Sequence, residues 1–151
     1  MEIKNYINLF GKLEEQRKDI FKSMNRAFET MKKRIEESFD STSLVGNIEK
    51  LNNAIRFQFL DFMIYIELEI CTFKNAGLIK WYLYQEVDFE PPQKIFIIQD
   101  LFNERSDIKK SLDSDFKYNS NDTQLYFIHT LMEFCEKRDE FVFNQKIINQ
   151  G

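Results

Sequence analysis

Apolar and polar residues alternate through the middle of the chain. From residue 60 to residue 71 the even positions are apolar, and the odd positions include Asp61, Glu67 and Glu69. A period of two is typical of a β-strand with one buried face. Three acids in so short a run argue against a membrane span. We therefore predict a strand over residues 60–71 whose even side chains enter the core.

The phase of the apolar positions changes just before this strand. Ile55, Phe57 and Phe59 occupy odd positions, whereas the even series begins at Leu60. A β-bulge between Phe59 and Leu60 would re-aim the side chains, and we favour this interpretation. The alternative is a short helix that ends over residues 47–53, with the strand beginning later.

A second alternating run follows the turn signal Asn-Ala-Gly at residues 75–77. A connecting loop of two or four residues pairs even positions with odd positions and keeps the apolar faces of the two strands together. With two residues, the sequence predicts the following apolar pairs: Ile70 with Trp81, Leu68 with Leu83, Ile64 with Val87, and Phe62 with Phe89. Pro91 and Pro92 end this second strand, because proline cannot donate to a ladder.

Residues 94–102 form a third apolar run, and it shows no clear alternation. Such a run is consistent with a central strand that is covered on both faces. The sequence leaves open which side chains of this strand face the core.

The first forty residues predict a long helix. Apolar residues recur every three or four positions from Ile3 to Ile35, with no proline and with Gly11 alone as a weak point. A continuous helix of about 37 residues is roughly 55 Å long. A compact domain of this size is only about 35–40 Å across. The helix therefore either breaks near Gly11 or extends past the domain and meets a partner. Arg17 interrupts the apolar stripe, which is imperfect as a coiled coil.

The C-terminal third begins with a polar stretch over residues 103–121, in which Ser106 is a candidate helix cap. A last helix is predicted over residues 122–150 with Asp122 as its cap. Its predicted apolar stripe consists of Leu125, Ile128, Leu131, Met132 and Cys135. Residues 140–144 either extend this helix or form a fourth strand, and the pattern does not decide between the two.

Together these elements predict an α+β fold in one domain over residues 1–151. A helical segment over 1–39 precedes an antiparallel meander of three to four strands over 54–102. The polar loop over 103–121 follows, and then the C-terminal helix over 122–150, packed on one face of the sheet with the first helix.

Charge and cysteine content limit which cellular compartments and which classes of binding partner are expected. The net charge is −4, and residues 61–104 hold eight acids against three bases. Such an acidic centre repels phosphate backbones and argues against nucleic-acid binding by the sheet. Cys71 and Cys135 are too few and too distant for a secreted disulfide scaffold, and the chain start lacks the apolar run of a signal peptide. We expect a cytoplasmic protein with free thiols and no membrane segment.

Few residues suggest chemistry. His129 is the single histidine, which excludes multi-histidine metal sites, and the four glycines never cluster into a phosphate loop. We therefore expect no cofactor and no catalytic residues. Among enzyme functions, the alternative that the residues support best is a metal-dependent phosphodiesterase or nuclease. In it Asp88, Asp100 and Asp107 would hold the metal beside Lys109.

The outward side chains of the two alternating strands give the candidate site. It combines three tyrosines with three acids, and its residues are Tyr65, Glu67, Glu69, Tyr82, Tyr84 and Glu86. In the two-residue-loop register Glu69 pairs with Tyr82, Glu67 with Tyr84, Tyr65 with Glu86, and Met63 with Asp88. Exposed aromatic residues among polar ones are typical of protein interfaces, although tyrosine–glutamate pairs also stabilise sheets.

Two interpretations of the function remain. The first is a non-catalytic protein-binding module that docks a basic partner protein through this face or its long helix, as an inhibitor, an immunity protein or a chaperone would. The second is a structural protein whose N-terminal helix pairs with a second copy in a homodimer.

Overall fold

The computed structural model describes residues 2–74, 76–85, 90–103, 105, 107–110 and 117–150, the side chains of 148–150 excepted. The helices are α1 (Ile3–Phe39) and α2 (Thr123–Gln150). The strands are β1 (Val45–Lys50), β2 (Ala54–Phe59), β3 (Phe62–Cys71), β4 (Ala76–Gln85), β5 (Gln93–Phe102), β6 (Ile108–Lys109) and β7 (Lys117–Tyr118). Two 3₁₀ turns, Thr72–Lys74 and Ser120–Asp122, complete the chain as described.

The strands form one antiparallel meander in the order β1 to β7. The predicted α+β fold with a helix at each end is therefore confirmed, but over the described residues the sheet has seven strands rather than three or four. The additional strands are short and carry little alternation. β6 and β7 have two residues each, inside the stretch that the sequence predicts as a polar loop. β1 occupies part of the segment assigned to a short helix as the alternative.

The change of phase at Phe59 is a hairpin turn and not a bulge, so the favoured interpretation was wrong. Phe59 pairs directly with Phe62, and a two-residue turn joins β2 to β3. Leu60 takes a φ of 54° in this turn, and its N–H donates to the carbonyl of Leu44 at 2.8 Å. The odd and even apolar series belong to two different strands whose apolar side chains enter the same core.

The register between β3 and β4 differs from the predicted one by four positions. Ile66 pairs with Trp81 and Ile64 with Leu83, because Cys71 pairs with Ala76 and the turn is therefore centred two residues earlier than predicted. Gly77 is already paired with Ile70 at the start of β4, where an added Cβ would lie 3.3 Å from Leu68 Cδ1. The connection between Cys71 and Ala76 has an even number of residues, as predicted, so the described side chains of β3 and β4 keep their predicted faces. The pairs assigned to Val87 and Phe89 fall outside the described residues.

The missing alternation in β5 has a local cause. Ile98 pairs with Trp81 while Phe96 pairs with Tyr82, so Ile97 is a bulged residue. The phase changes there, and Ile98 and Phe102 enter the core while Phe96 points outward and is 52% exposed. This strand is central in the sheet, but the described residues cover one of its faces only.

The core lies between the sheet and the two helices. Trp81 is fully buried at its centre, and its ring lies 5.8 Å from that of Phe127 and 5.9 Å from that of Phe134. Its indole N–H donates to the hydroxyl of Tyr126 at 3.0 Å. From α1 the core takes residues from Ile20 onward: Ile20, Met24, Ala27, Phe28, Met31 and Ile35.

The predicted apolar stripe of α2 was largely wrong. Leu125, Ile128 and Met132 are exposed, and the buried residues are Tyr126, Phe127, Leu131 and Phe134, with the polar Thr123 and Thr130. The aromatic side chains turn this face inward because they fill the space around Trp81 and satisfy its N–H. Asp122 belongs to the capping box of the preceding 3₁₀ turn, where it accepts from the N–H of Asn119. Residues 140–144 continue the helix.

Neither helix, over the residues described, contains a stretch apolar enough to cross a bilayer.

Candidate interaction surfaces

Both helices pack on one side of the sheet, and we call the other side the outer face. Five of the six predicted site residues lie on it: Tyr65, Glu67, Glu69, Tyr82 and Tyr84. Glu86 and Asp88 lie outside the described residues. The tyrosine–glutamate pairs of the predicted register do not form across the described strands. Tyr65 pairs with Tyr82, Met63 with Tyr84, and Glu67 with Lys80, because the β3–β4 turn is centred two residues earlier than predicted.

The aromatic residues of the outer face contact one another. The rings of Tyr65 and Tyr84 stack with 5.9 Å between centroids, and Tyr65 meets Tyr82 edge to face at 6.2 Å. Tyr82 in turn meets Phe96 at 6.0 Å. The three tyrosines are half-buried by these contacts, so Phe96 is the most exposed member of the cluster.

The acids of the outer face are neutralised within the face. Glu67 accepts a hydrogen bond from Lys94 at 3.1 Å, and Glu69 is ion-paired with Lys80. The Lys94 ammonium also lies 4.9 Å from the ring centroid of Tyr65. Burial lowers the pKa of Lys94, but the hydrogen bond to Glu67 and the electrostatic effects of Glu67, Tyr65 and Tyr82 together outweigh burial, so the net direction is upward.

Sequence reasoning missed the basic half of this face. Arg56 lies over the ring of Tyr84 at 5.5 Å and pairs with Glu49 of β1. The alternation in β4 already placed Lys80 outward, and that signal could have been used. Lys94 could not have been found, because its position depends on the β4–β5 register. With these bases included, the described part of the outer face is not an acidic surface.

The second surface is the first half of α1. The helix does not break at Gly11, and every residue from 2 to 19 is exposed except the half-buried Leu13. We call residues 3–19 the arm. At 1.5 Å per residue it extends about 25 Å past the first buried residue, Ile20. Of the two alternatives that the sequence left open, the structure has the extension.

The arm has an apolar stripe that nothing in the described chain covers. Ile3, Ile7 and Phe10 are 78%, 63% and 56% exposed, and Tyr6 and Leu9 are also exposed. At 3.6 residues per turn these side chains continue the line of residues that α1 buries from Ile20 onward. The helical pattern is therefore uninterrupted, while its burial stops where the sheet ends.

A buried polar cluster joins α2 to the sheet. Asp100 is 1% exposed, and its Oδ2 accepts from the hydroxyl of Tyr126 at 2.7 Å and from Lys110 Nζ at 3.0 Å. Lys110 also contacts Thr130 Oγ1 at 3.2 Å and Glu133 at 2.8 Å. Burial raises the pKa of Asp100 despite these partners. The cluster holds two layers together and lines none of the larger grooves.

The residues of the alternative metal site are dispersed. Asp100 lies in the core, whereas Asp107 is on a loop, where it accepts from Asn103 Nδ2 at 3.3 Å. Lys109 pairs with the outward Leu101, and Asp88 falls outside the described residues. Among the residues that the structure describes, no three carboxylates, histidines or cysteines come together as a metal site would require.

The remaining reactive side chains have structural surroundings. His129 Nδ1 lies 2.8 Å from the hydroxyl of Tyr118. Cys71 and Cys135 are both free thiols and half-buried, and burial raises the pKa of Cys135, which disfavours its thiolate.

No protein-family model, curated protein sequence or solved structure matches this chain.

Proposed function

We propose that this chain is a non-catalytic protein-binding protein and that the arm is its docking element. The observation that best supports this proposal is the exposed stripe of Ile3, Ile7 and Phe10, which lies on the part of α1 that extends beyond the sheet. A contiguous apolar surface of this kind is typical of a protein–protein contact site. The free thiols of Cys71 and Cys135 favour a cytoplasmic setting for this activity.

Helix energetics support the same conclusion. A helical segment without tertiary contacts gains little stability in water, because packing supplies most helix stability. The arm has Gly11 in its interior, and Glu2 makes no side-chain cap at its start. A partner that covers the apolar stripe would supply the missing stabilisation. Its docking would be of the helix-in-groove kind, with anchors spaced by three and four residues.

The outer face is a second candidate for the same function. Its tyrosines are held in place by one another and by Arg56 and Lys94, so little side-chain entropy would be lost on binding. Tyrosine and arginine are also enriched at interface hot spots. Docking of a basic partner there remains a proposal, and its electrostatic basis is weakened because Glu67 and Glu69 already have partners.

A capture experiment with two matched variants tests the arm. We would compare the parent chain with Ile7→Ser/Phe10→Ser and with Asn8→Ser/Lys12→Ser, which changes the opposite side of the same turns. All four positions are exposed, so both variants are expected to fold. Proteins captured from extract of the source, further copies of this chain included, should be lost in the first variant and kept in the second.

The outer face has its own variant, Tyr82→Ala/Tyr84→Ala. Loss of the captured protein in this variant, with retention in the arm variant, would move the docking site to the sheet. Retention in both variants would overturn the proposal for both surfaces. Cleavage of a generic phosphodiester that requires Mg²⁺ or Mn²⁺ and disappears in Asp107→Asn would instead favour the hydrolase alternative.

A further inference from the structure

We propose that the arm pairs in antiparallel orientation with the arm of a second copy of this chain. The two-fold axis passes between the two helices at the level of residue 8, whose own side chain points away from the contact. This inference rests on the proposed function and names its partner. It draws on three properties of the arm, which are its pattern, its length and its exposed area.

The apolar pattern of the arm is self-complementary. In an antiparallel pair centred on residue 8, Ile3 lies opposite Leu13 of the other copy, and Tyr6 lies opposite Phe10. The two-fold axis repeats both contacts, as it does in any isologous interface. The result is four consecutive apolar layers with a spacing of three and four residues. Arg17, the residue that interrupts the stripe, falls beyond the last layer.

The length of the arm permits this pairing without collision between the two folded bodies. In this register the two Ile20 residues, where the cores begin, lie on opposite sides of the two-fold axis. Each is 12 residues from the level of residue 8, which is about 18 Å along the helix axis. A shorter arm would bring the sheets into contact before the apolar layers aligned.

The charges near the stripe are mixed in this register. Lys4 and Lys12 lie on the opposite side of the helix and point away from the other arm. At each end of the pair Glu2 comes level with Glu14 of the other copy, a like charge, while Arg17 lies within about one turn of both.

The exposed area gives the size class of this dimer interface. An aromatic side chain presents about 150–250 Å², so the half-exposed Tyr6 and Phe10 contribute about 100 Å² each. With the aliphatic members the stripe offers on the order of 500 Å² per copy, or about 1,000 Å² in the pair, which is at the lower limit for a specific interface. We therefore expect a reversible dimer with a Kd in the micromolar range.

Light scattering across a concentration series is the first test. The mass of the parent should rise from 18.3 kDa toward twice that value between about 1 and 200 μM. Tyr6→Ser/Phe10→Ser should remain monomeric throughout. Asn8→Ser/Lys12→Ser should behave as the parent does.

Cysteine crosslinking tests the register. In a background with both native cysteines replaced by serine, Ile3→Cys and Leu13→Cys chains are prepared separately and then mixed. An antiparallel pair should form the mixed disulfide, and neither chain should crosslink to itself. Self-crosslinking of Ile3→Cys would show a parallel pair and overturn the proposal.

The outcomes separate the inference from the proposed function. A parent that stays monomeric at about 200 μM overturns the dimer. If the parent nevertheless captures another protein and Ile7→Ser/Phe10→Ser does not, the arm docks a different partner and the proposed function stands. A dimer that persists in Tyr6→Ser/Phe10→Ser forms elsewhere, for example through the exposed Leu125, Ile128 and Met132 of α2, and this result also overturns the inference.

Discussion

The two halves of α1 share one pattern and have opposite surroundings. From Ile20 to Ile35 the apolar stripe is buried against the sheet and α2, whereas from Ile3 to Phe10 the same stripe faces solvent. Both halves are helical, and Gly11 does not separate them. Hydrophobic periodicity therefore predicts the helix and its apolar side, but it does not say what covers that side.

The outer face of the sheet shows a third arrangement. Its aromatic residues are partly exposed, yet they contact one another, and its acids are paired with Arg56, Lys80 and Lys94. The apolar stripe of the arm differs, since Ile3, Ile7 and Phe10 remain 78%, 63% and 56% exposed. An exposed aromatic residue on the arm is therefore a stronger indication of a missing partner than one on the sheet.

The largest expected effect contrasts one substitution in the two halves of the helix. Phe28→Ala removes a ring that is 1% exposed, and it should cost about 3–5 kcal/mol of unfolding free energy. Phe10→Ala should change the unfolding free energy of the monomer by less than about 0.5 kcal/mol, since that ring is exposed. Chemical denaturation of both variants at low concentration measures the difference. Equal losses would mean that the arm folds back onto the core in solution.

A smaller loss is expected from the polar cluster on the other helix. Tyr126→Phe removes the hydroxyl that accepts from Trp81 and donates to Asp100. Each of these groups is buried, so the variant should lose about 1–3 kcal/mol of unfolding free energy. The mass measured by light scattering should still rise with concentration as in the parent, because the arm is remote from the cluster. A variant that lost dimerisation while it remained folded would show that the two regions are coupled.

In the arm, the corresponding substitution is expected to reduce the free energy of dimer association rather than the free energy of unfolding. Phe10→Ala should weaken the dimer about tenfold or more, which corresponds to about 1.4 kcal/mol, because the two-fold axis removes two rings from the interface. Sedimentation equilibrium gives the Kd of the parent and the variant. Asn8→Ala, on the opposite side of the same turn, is the control and should leave the Kd within a factor of two. A parent-like Kd for Phe10→Ala would exclude the proposed register.

Much of this architecture was predictable from the chain, and the failures have physical causes. The faces of β3 and β4 follow from alternation, but their register depends on which residues form the centre of the turn, and every loop with an even number of residues satisfies the same parity. The β2–β3 turn was misread because two strands joined by a tight turn show the same change of phase as a bulge. The bulge at Ile97 could not be found, since it is defined by the partner strand.

The site was predictable to a similar degree. Alternation placed Tyr65, Tyr82 and Tyr84 on one face, but the ion pairs that neutralise Glu67 and Glu69 depend on cross-strand register. The exposed half of α1 was foreseen as one of two alternatives from its length alone. The stripe of α2 was misassigned because Leu125 and Ile128 fit a helical period as well as the buried aromatic residues do.

The smallest predicted effect tests whether the arm is a preformed helix or one completed by its partner. An added Cβ at Gly11 meets no atom within 4 Å, so Gly11→Ala should favour the helix by about 0.5–1 kcal/mol. If the free arm frays, helicity by circular dichroism should rise and the dimer should tighten by a factor of about two to five. A rise in helicity without tighter association would mean that fraying does not limit pairing. Weaker association would mean that Gly11 lies inside the contact. The paired face would then be rotated away from Ile3, Tyr6 and Phe10, and the proposed apolar layers would be wrong.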